Sequence, residues 1–286
     1  MKHIIIALAI FLLLAPLGSA QTEQSHWTRT EAPVKLDLEL FRSSHLVSLP
    51  TTETLQKGDL EFEISHRFSP PVSKGSNYLW GLDGPINMRL ALGYALTNKM
   101  VLTAAISNAE DNNDWRIKYK LLQLRSADFP IVVALQAGAA WNREVYVEGR
   151  STGDSRNFQY YGQMIINTMI KKNFGIGLVP SYLQNSDIYS TDTRHSVIIG
   201  TYLEYYLNSI VGVLAEWSPV VDGYHRKYTP AAFGVEFNTG GHFFKIVLTN
   251  SIWLNPSQYL AGTDYEFRSS EWRLGFNITR LLRFKK

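Results

Sequence analysis

Residues 231–250 read AAFGVEFNTGGHFFKIVLTN, and apolar and polar side chains alternate on both sides of the Gly240-Gly241 pair. Alternation with a period of two is the pattern of a β-strand with two different faces. Adjacent glycines adopt positive φ readily, so the pair predicts a two-residue hairpin turn. That turn fixes the register, with three apolar pairs on one face and a charge pair on the other: Phe237 with Phe244, Val235 with Ile246, Phe233 with Leu248, and Glu236 opposite Lys245.

Strands of this kind recur from residue 59 onward, with too little helix between them to cover the apolar faces. The sequence predicts twelve: 59–69, 85–96, 100–108, 114–123, 130–142, 157–170, 174–183, 194–207, 211–219, 230–239, 242–250 and 268–280. Most have a length close to the roughly 9–11 residues with which a tilted strand crosses a bilayer. Short connections follow the even strands and mostly long, polar ones follow the odd strands. Outer-membrane barrels show this alternation, with short turns in the periplasm.

Aromatic residues fall near both ends of the predicted strands. At the outer ends we expect Phe68, Trp115, Trp141, Phe158, Tyr182, Trp217 and Trp272, and at the periplasmic ends Phe62, Tyr94, Phe174, Tyr205, Phe237, Phe244 and Phe276. Two aromatic girdles are typical of the two membrane interfaces, whereas a soluble sandwich would place aromatics in mid-strand. We therefore predict an all-β fold, a transmembrane antiparallel up-and-down β-barrel of about twelve strands, with ten to fourteen inside the usual boundary error.

The N-terminus predicts export. Lys2 and His3 precede an apolar run, and small residues at Gly18 and Ala20 suit cleavage before Gln21. The apolar run is shorter than the roughly 20 residues of a spanning helix. We predict that residues 1–20 are a signal peptide cleaved after Ala20, and that the mature chain is located in the bacterial outer membrane.

Residues 21–58 do not show the pattern of a membrane strand, and we expect the barrel itself to occupy residues 59–286. Three alternatives remain for residues 21–58. They form a periplasmic lead-in, fold back into the barrel as a plug, or are a disordered tail.

Composition narrows the function classes. The formal net charge is +3 and the basic residues form no local cluster interleaved with aromatics, so nucleic-acid binding is not predicted. The chain contains no cysteine, which excludes disulfides and thiolate metal sites. An aromatic content of 13% with 20 glycines is ordinary for a transmembrane barrel, whose strands are polar at every second residue.

Catalytic and metal-binding patterns are weak. Ser65 precedes His66 and His195 precedes Ser196, but adjacent strand residues point to opposite faces and do not form a nucleophile–base pair. The acidic run 111–114 lacks the glycine and distal glutamate of an EF-hand loop, and we interpret it as a solvated loop. We predict no enzyme, no cofactor and no metal, although a catalytic partner on a different strand would leave no mark in the sequence.

Six short motifs lie in order between about residues 40 and 280: Glu53-Thr54-Leu55 with Lys57-Gly58, Ile64-Ser65-His66-Arg67-Phe68, Gly81-Leu82-Asp83 with the strand to Tyr94, Lys118-Tyr119-Lys120, Gly240-Gly241-His242 with Phe244 through Thr249-Asn250-Ser251, and Leu274-Gly275-Phe276-Asn277-Ile278 with Arg280. Together they resemble a family of bacterial outer-membrane β-barrels of unknown function, typical of Bacteroidetes. The resemblance implies the barrel fold and the outer-membrane location. It implies no substrate and no functional residue.

Function is expected on the inward face of the barrel. Ten charged side chains are predicted to line the lumen: Arg67, Arg89, Arg116, Lys118, Lys120, Glu204, Glu216, Glu236, Lys245 and Arg273. Basic and acidic groups fall mainly on different sectors of the wall, which would create a transverse field in a narrow pore. Small residues on predicted strands 3, 5 and 7 leave room for a pore, a ligand or a plug, or reflect only strand curvature: Ala105, Ala134, Gly138, Ala140, Gly175 and Gly177.

Two functions follow from these observations. The first is a narrow pore for small polar or charged solutes, and the second is a closed structural barrel that acts as scaffold or partner in an envelope complex. Three alternatives remain for the aromatic-rich loop 251–267. It folds inward as a constriction, binds a partner or a glycan, or packs as a lid over the mouth of the barrel. Expected partners are outer-membrane lipid, the barrel assembly machinery, and either small polar solutes or an unidentified envelope protein.

Overall fold

The structure, a computed structural model, describes residues 38–145 and 147–283. These residues form thirteen strands: β1 Leu60–Phe68, β2 Ile86–Thr97, β3 Met100–Ser107, β4 Asn112–Leu124, β5 Ile131–Asn142, β6 Phe158–Ile170, β7 Phe174–Gln184, β8 His195–Tyr206, β9 Val211–Trp217, β10 Val220–Gly223, β11 Ala231–Asn238, β12 His242–Thr249 and β13 Arg273–Leu282. The predicted signal peptide, residues 1–20, and residues 21–37 lie outside the described residues.

The strands form one closed antiparallel barrel. Neighbours in sequence pair with each other from β1 to β9, β9 pairs with β11, and β13 returns to pair with β1. The short strand β10 pairs with β8 beyond the end of β9, so β9 and β10 together occupy one position in the wall. The wall therefore has twelve positions, and the predicted fold class is confirmed.

The hairpin that led to this prediction has the expected register. Phe237 pairs with Phe244, Val235 with Ile246 and Phe233 with Leu248, while Glu236 lies opposite Lys245. Gly240 and Gly241 have φ angles of 79° and 146°, which a side chain at either position would disfavour. Of two adjacent residues in β12, Ile246 is 56% exposed on the outside and Lys245 is 1% exposed on the inside.

Two of the errors in the predicted strand boundaries have local causes. The strand predicted at 211–219 ends at Trp217 because Ser218 and Pro219 follow, and proline has no N–H for the ladder. The strand predicted at 268–280 begins at Arg273 because Ser269–Glu271 forms a 3₁₀ turn. Phe276 consequently lies in the outer half of β13 beside Phe68, not in the periplasmic girdle where the sequence placed it.

Helices are few and short. The described residues contain one α-helix, α1 Pro256–Tyr259, between β12 and β13. The remaining helical turns are 3₁₀: Val72–Lys74, Ser76–Gly81, Ala109–Asp111, Ser155–Asn157 and Ser269–Glu271. Within the part of the chain that the structure describes, no helix has the length and apolar character needed to cross a membrane.

Candidate functional site: the barrel interior

Two stretches of the chain fill the barrel interior. Residues 38–58, here called the inner segment, enter at the end with the short turns, where Thr54 Oγ1 donates to the carbonyl of Asn98 at 2.7 Å. Residues 251–263, here called the inner loop, fill the opposite end and include α1. Leu46 and Leu49 of the inner segment and Leu260 of the inner loop are completely buried in one hydrophobic cluster with inward side chains of the strands.

Glu216 on β9 binds the backbone of the inner segment. Its carboxylate accepts hydrogen bonds from the N–H groups of Val47, Ser48 and Leu49, with Ser48 N at 2.9 Å and Leu49 N at 3.0 Å. Hydrogen bonds to an ionised acceptor are about twice as strong as neutral ones. The carboxylate thereby satisfies three consecutive N–H groups that belong to no strand or helix.

Lys245 on β12 binds the same turn from another side. Its Nζ donates to the Ser43 hydroxyl and the Leu46 carbonyl, both at 2.7 Å, and to the carbonyl of His45. Glu236 Oε2 lies 3.2 Å from that Nζ and 3.0 Å from the Ser43 hydroxyl. The charge pair predicted from the hairpin is therefore part of a buried network centred on the inner segment.

Further strand side chains bind the inner segment on the remaining sides. Lys118 on β4 donates to the carbonyls of Ser44 at 3.0 Å and Thr51 at 3.2 Å. On β6, the Asn167 side-chain carbonyl accepts the N–H of Thr52 at 2.8 Å. The wall thus recognises mostly the backbone of the inner segment.

The inner segment also packs against the small residues of the wall. A Cβ on Gly175 would lie 2.6 Å from the ring of Phe41, which itself meets the Tyr202 ring edge-on with 5.4 Å between centroids. Gly177 and Gly138 are similarly covered by the rings of Tyr202 and Tyr161. The volume beside these three glycines is therefore occupied by aromatic rings.

Three more of the predicted lumen residues form ion pairs. Arg89 Nη1 lies 2.5 Å from Glu63, and Lys120 Nζ lies 3.7 Å from Glu53 of the inner segment. Arg116 is half-buried, and its Nη1 lies 3.8 Å from an oxygen of Asp114. These basic groups thus have acidic neighbours at close range, which weakens the transverse field expected from the sequence.

The last three predicted residues are buried in different surroundings. Arg67 donates to the Asn277 side chain at 2.7 Å. Glu204 accepts the hydroxyl hydrogen of Tyr206 at 2.9 Å, and the same hydroxyl oxygen accepts the N–H of Arg42 of the inner segment at 3.2 Å. Arg273 lies at the outer end of β13 beside the Tyr265 ring and the Ser69 carbonyl, away from the inner segment.

Two titratable groups of the inner segment are shifted by burial. Burial holds the pKa of His45 well below its usual value. The nearby cations of Lys245 and Arg89 lower this pKa further, whereas the carboxylate of Glu63 raises it. Burial also raises the pKa of the Glu53 carboxyl, which Lys120 opposes. His45 is consequently neutral near pH 7 and adds no charge to the interior.

The inner loop is attached to the wall by amide side chains. Asn255 caps α1 and accepts a hydrogen bond from Arg89 Nε at 2.7 Å. It also donates to the Asn112 side chain at 2.6 Å, and Gln258 donates to the Ala109 carbonyl at 2.9 Å. The sequence left several alternatives open for loop 251–267. In the structure its residues 251–263, the inner loop, fold inward and pack against the wall.

Sequence reasoning missed the inward asparagines. Asn112 and Asp114 are completely buried on β4, so the interpretation of residues 111–114 as a solvated loop is wrong. Asn167 and Asn277 both bind the inner segment, the latter donating to the Val47 carbonyl at 2.7 Å. Asparagine is depleted in β-strands, and its presence at inward strand positions was the available signal.

Ser65 and His66 do not form a nucleophile–base pair. Ser65 is buried on the inside and donates to Glu63, whereas His66 lies on the outside, 4.4 Å from the Phe276 ring. Among residues 38–145 and 147–283, no group of three His, Cys, Asp or Glu side chains could hold a metal ion.

Cavities of different size lie beside the inner segment. A cavity of about 40 Å³ lies between the inner segment and the wall and is lined by Arg89, Arg116 and Lys118. It has room for a few water molecules, since one needs about 10–15 Å³. A wider cavity of about 450 Å³ opens at the short-turn end and is lined by residues that include Glu61 and Arg42.

Comparison with known proteins supports a membrane barrel. A family model described as "Membrane bound beta barrel domain (DUF5777)" matches residues 41–282. No curated protein sequence matches the chain.

Solved structures with a similar arrangement include two channels and one enzyme. The NanC porin has 11% identity and a TM-score of 0.45, with 79% of this chain and 100% of the porin covered. An outer membrane channel from Pseudomonas putida F1 has 12% identity and a TM-score of 0.45, with 81% and 98% covered. Outer membrane phospholipase A from Escherichia coli has 13% identity and a TM-score of 0.40, with 84% and 95% covered.

Proposed function

The chain belongs to this family of membrane-bound β-barrel domains, and from that premise we propose that it is a porin-like outer-membrane barrel closed by its own residues 38–58. The observation that carries the proposal is the binding of the inner segment by charged wall residues. Glu216 and Lys245 bind its backbone at five N–H or carbonyl groups. Contacts of this kind can be exchanged for water, which would allow the inner segment to leave without unfolding the barrel.

We propose small polar or charged solutes as the class that passes once the inner segment has left. The charged residues that line the wall would then be solvated: Arg67, Arg89, Arg116, Lys118, Lys120, Glu204, Glu216, Glu236 and Lys245. A twelve-position barrel is wider than the filled eight-stranded barrel and narrower than a sixteen-stranded porin. A lumen of that size and polarity favours small hydrophilic solutes over lipids or proteins.

A second candidate is a permanently closed barrel that serves as a scaffold or partner in an envelope complex. The inner loop favours it, because residues 254–261 are buried in the interior and, in this scheme, obstruct it even without the inner segment. In this scheme the interior network stabilises the fold, and an envelope protein would bind outside the lumen.

Outer-membrane lipid surrounds the apolar outer wall. We further propose that the barrel assembly machinery inserts the chain, because closure requires β1 and β13, which are far apart in the sequence, to pair in the membrane. The predicted signal peptide would deliver the chain to the periplasm first.

Planar-bilayer recording distinguishes the two candidates. We expect the full mature chain to be silent, and a variant lacking residues 21–58 to show single-channel conductance. A full-length Glu216→Ala variant is expected to show brief openings, because three N–H groups of the inner segment lose their acceptor. A Glu271→Ala variant is the matched control, since Glu271 contacts Arg273 and Arg268 at the outer rim.

Silence of every variant would contradict the gated pore and support the closed barrel, provided that the truncated chain has folded. Folding is checked by the shift in electrophoretic mobility on heating. A truncated variant with a shortened inner loop shows whether that loop is a second obstruction. Conductance of the unmodified chain would contradict closure by the inner segment.

A further inference from the structure

The loop between β1 and β2 carries an exposed hydrophobic cluster. Its side chains are exposed to 46% at Tyr78, 56% at Leu79, 54% at Trp80 and 49% at Leu82. We call residues 78–82 the aromatic loop. Four large apolar side chains within five residues need an explanation, because this loop is not part of the strand wall.

The backbone holds these side chains in a fixed arrangement. Leu79 and Trp80 have φ angles of 46° and 52°, in the left-handed region that bulky residues rarely adopt. Trp80 N–H donates to the Gly75 carbonyl at 2.9 Å, and a Cβ on Gly81 would lie only 2.6 Å from the Pro70 carbonyl oxygen. Unfavourable backbone conformations of this kind persist where the surroundings impose them, often at binding surfaces.

The connection that carries the aromatic loop is attached to the rim of the barrel. The N–H of Val72, in the same connection, donates to the Trp272 carbonyl at 2.7 Å. The Trp272 ring meets the ring of Phe233 at 5.0 Å and lies 5.9 Å from that of Phe267. Phe233 belongs to the outward face of β11, between inward Ala232 and Gly234. The connection that carries the loop is therefore anchored at the rim of the lipid-facing surface.

We propose that residues 78–82 insert into the outer leaflet of the membrane beside the barrel. Tyrosine and tryptophan favour the interface between headgroups and acyl chains, and leucine favours the acyl region. Lys74 lies with its Nζ 5.6 Å from the centre of the Tyr78 ring, where it can meet the phosphate of a headgroup. The loop would thus hold a lipid at the β1–β13 seam, where the barrel closes.

Lipid explains the cluster better than a sugar or a protein partner does. Sugar sites combine aromatic rings with polar side chains, whereas two of the four side chains here are leucines. A protein partner would have to supply a separate apolar surface, whereas the bilayer already contacts the adjoining outer wall. The occupant that the observations favour is therefore the acyl and headgroup region of the leaflet.

Site-directed fluorescence tests this proposal, and the absence of native cysteine makes each label unique. Trp80→Cys and Leu82→Cys variants are labelled with an environment-sensitive dye in phosphatidylcholine vesicles. Ile246→Cys is the lipid-facing control and Thr191→Cys, in a polar loop, is the aqueous control. Quenching is measured with brominated acyl chains and with iodide in the water.

We expect the labels at positions 80 and 82 to be quenched by brominated lipid at least half as strongly as the label at 246, and by iodide several-fold less than the label at 191. Iodide quenching equal to that at 191 would overturn the proposal and leave a soluble partner or a sugar. Protection from both quenchers would also overturn it, since protein would then cover the loop. Position 82 keeps an ordinary backbone conformation, so the test remains valid if substitution at 80 disturbs the turn.

Discussion

Replacing Lys245 with methionine should lower the free energy of unfolding by about 3–5 kcal/mol. Methionine has a similar length but cannot donate a hydrogen bond. The buried carboxylate of Glu236, now 3.2 Å from Nζ, would lose its cation, and the carbonyls of His45 and Leu46 would lose their donor. Removing one partner of a buried pair costs this much because the other charge stays buried without compensation.

The measurement is urea unfolding in detergent micelles, followed by tryptophan fluorescence. Lys99→Met, at an exposed turn, is the matched control and should change the free energy of unfolding by less than about 0.5 kcal/mol. The double variant Lys245→Met with Glu236→Gln should recover part of the loss, because the stranded charge is gone. A loss below about 1 kcal/mol in the single variant would show that this network does not hold the inner segment.

Replacing Gly175 with valine should detach the beginning of the inner segment from the wall. A Cβ at this position would lie 2.6 and 2.7 Å from two carbons of the Phe41 ring, and valine adds two further methyl groups. Overpacking of a filled interior typically costs about 1–3 kcal/mol, and moving Phe41 relieves it more easily than moving β7. We therefore expect protease cleavage within residues 38–58 to become at least tenfold faster, which corresponds to about 1.4 kcal/mol.

Limited proteolysis with mass spectrometry gives that rate. Gly162→Val on the neighbouring strand is the matched control, because a Cβ there would have no atom within 4 Å. It adds the same side chain to a strand glycine but touches nothing. Equal cleavage rates in the two variants would contradict the packing of Phe41 against Gly175.

The barrel was predictable because the sequence features that specify it, alternation and turn residues, lie close together along the chain. Alternation in residues 231–250 and the adjacent glycines were enough for the register of β11 with β12. The same alternation indicated which charged residues point inward. The errors arose where one residue overrode the pattern, as Pro219 did at the end of β9.

The binding partners of the inward residues were not predictable, because each contact joins residues that are far apart in the sequence. Glu216 binds Ser48 across 168 residues of sequence, and Lys245 binds Ser43 across 202. The inner segment shows no strand or helix period, since side chains from distant strands satisfy much of its backbone. A plug was therefore only one of three alternatives for it.

Thiol accessibility at position 52 tests most directly whether residues 38–58 lie inside the barrel. Thr52 is completely buried and its hydroxyl has no hydrogen-bond partner, so Thr52→Cys removes no described side-chain bond. Thr191→Cys, in an exposed loop, is the reference for the reaction with a bulky, membrane-impermeant maleimide. If residues 38–58 fill the lumen, Cys at position 52 should react at least a hundredfold more slowly than Cys at position 191 and reach the same rate in urea. Equal rates in the folded protein would contradict a lumen filled by the inner segment.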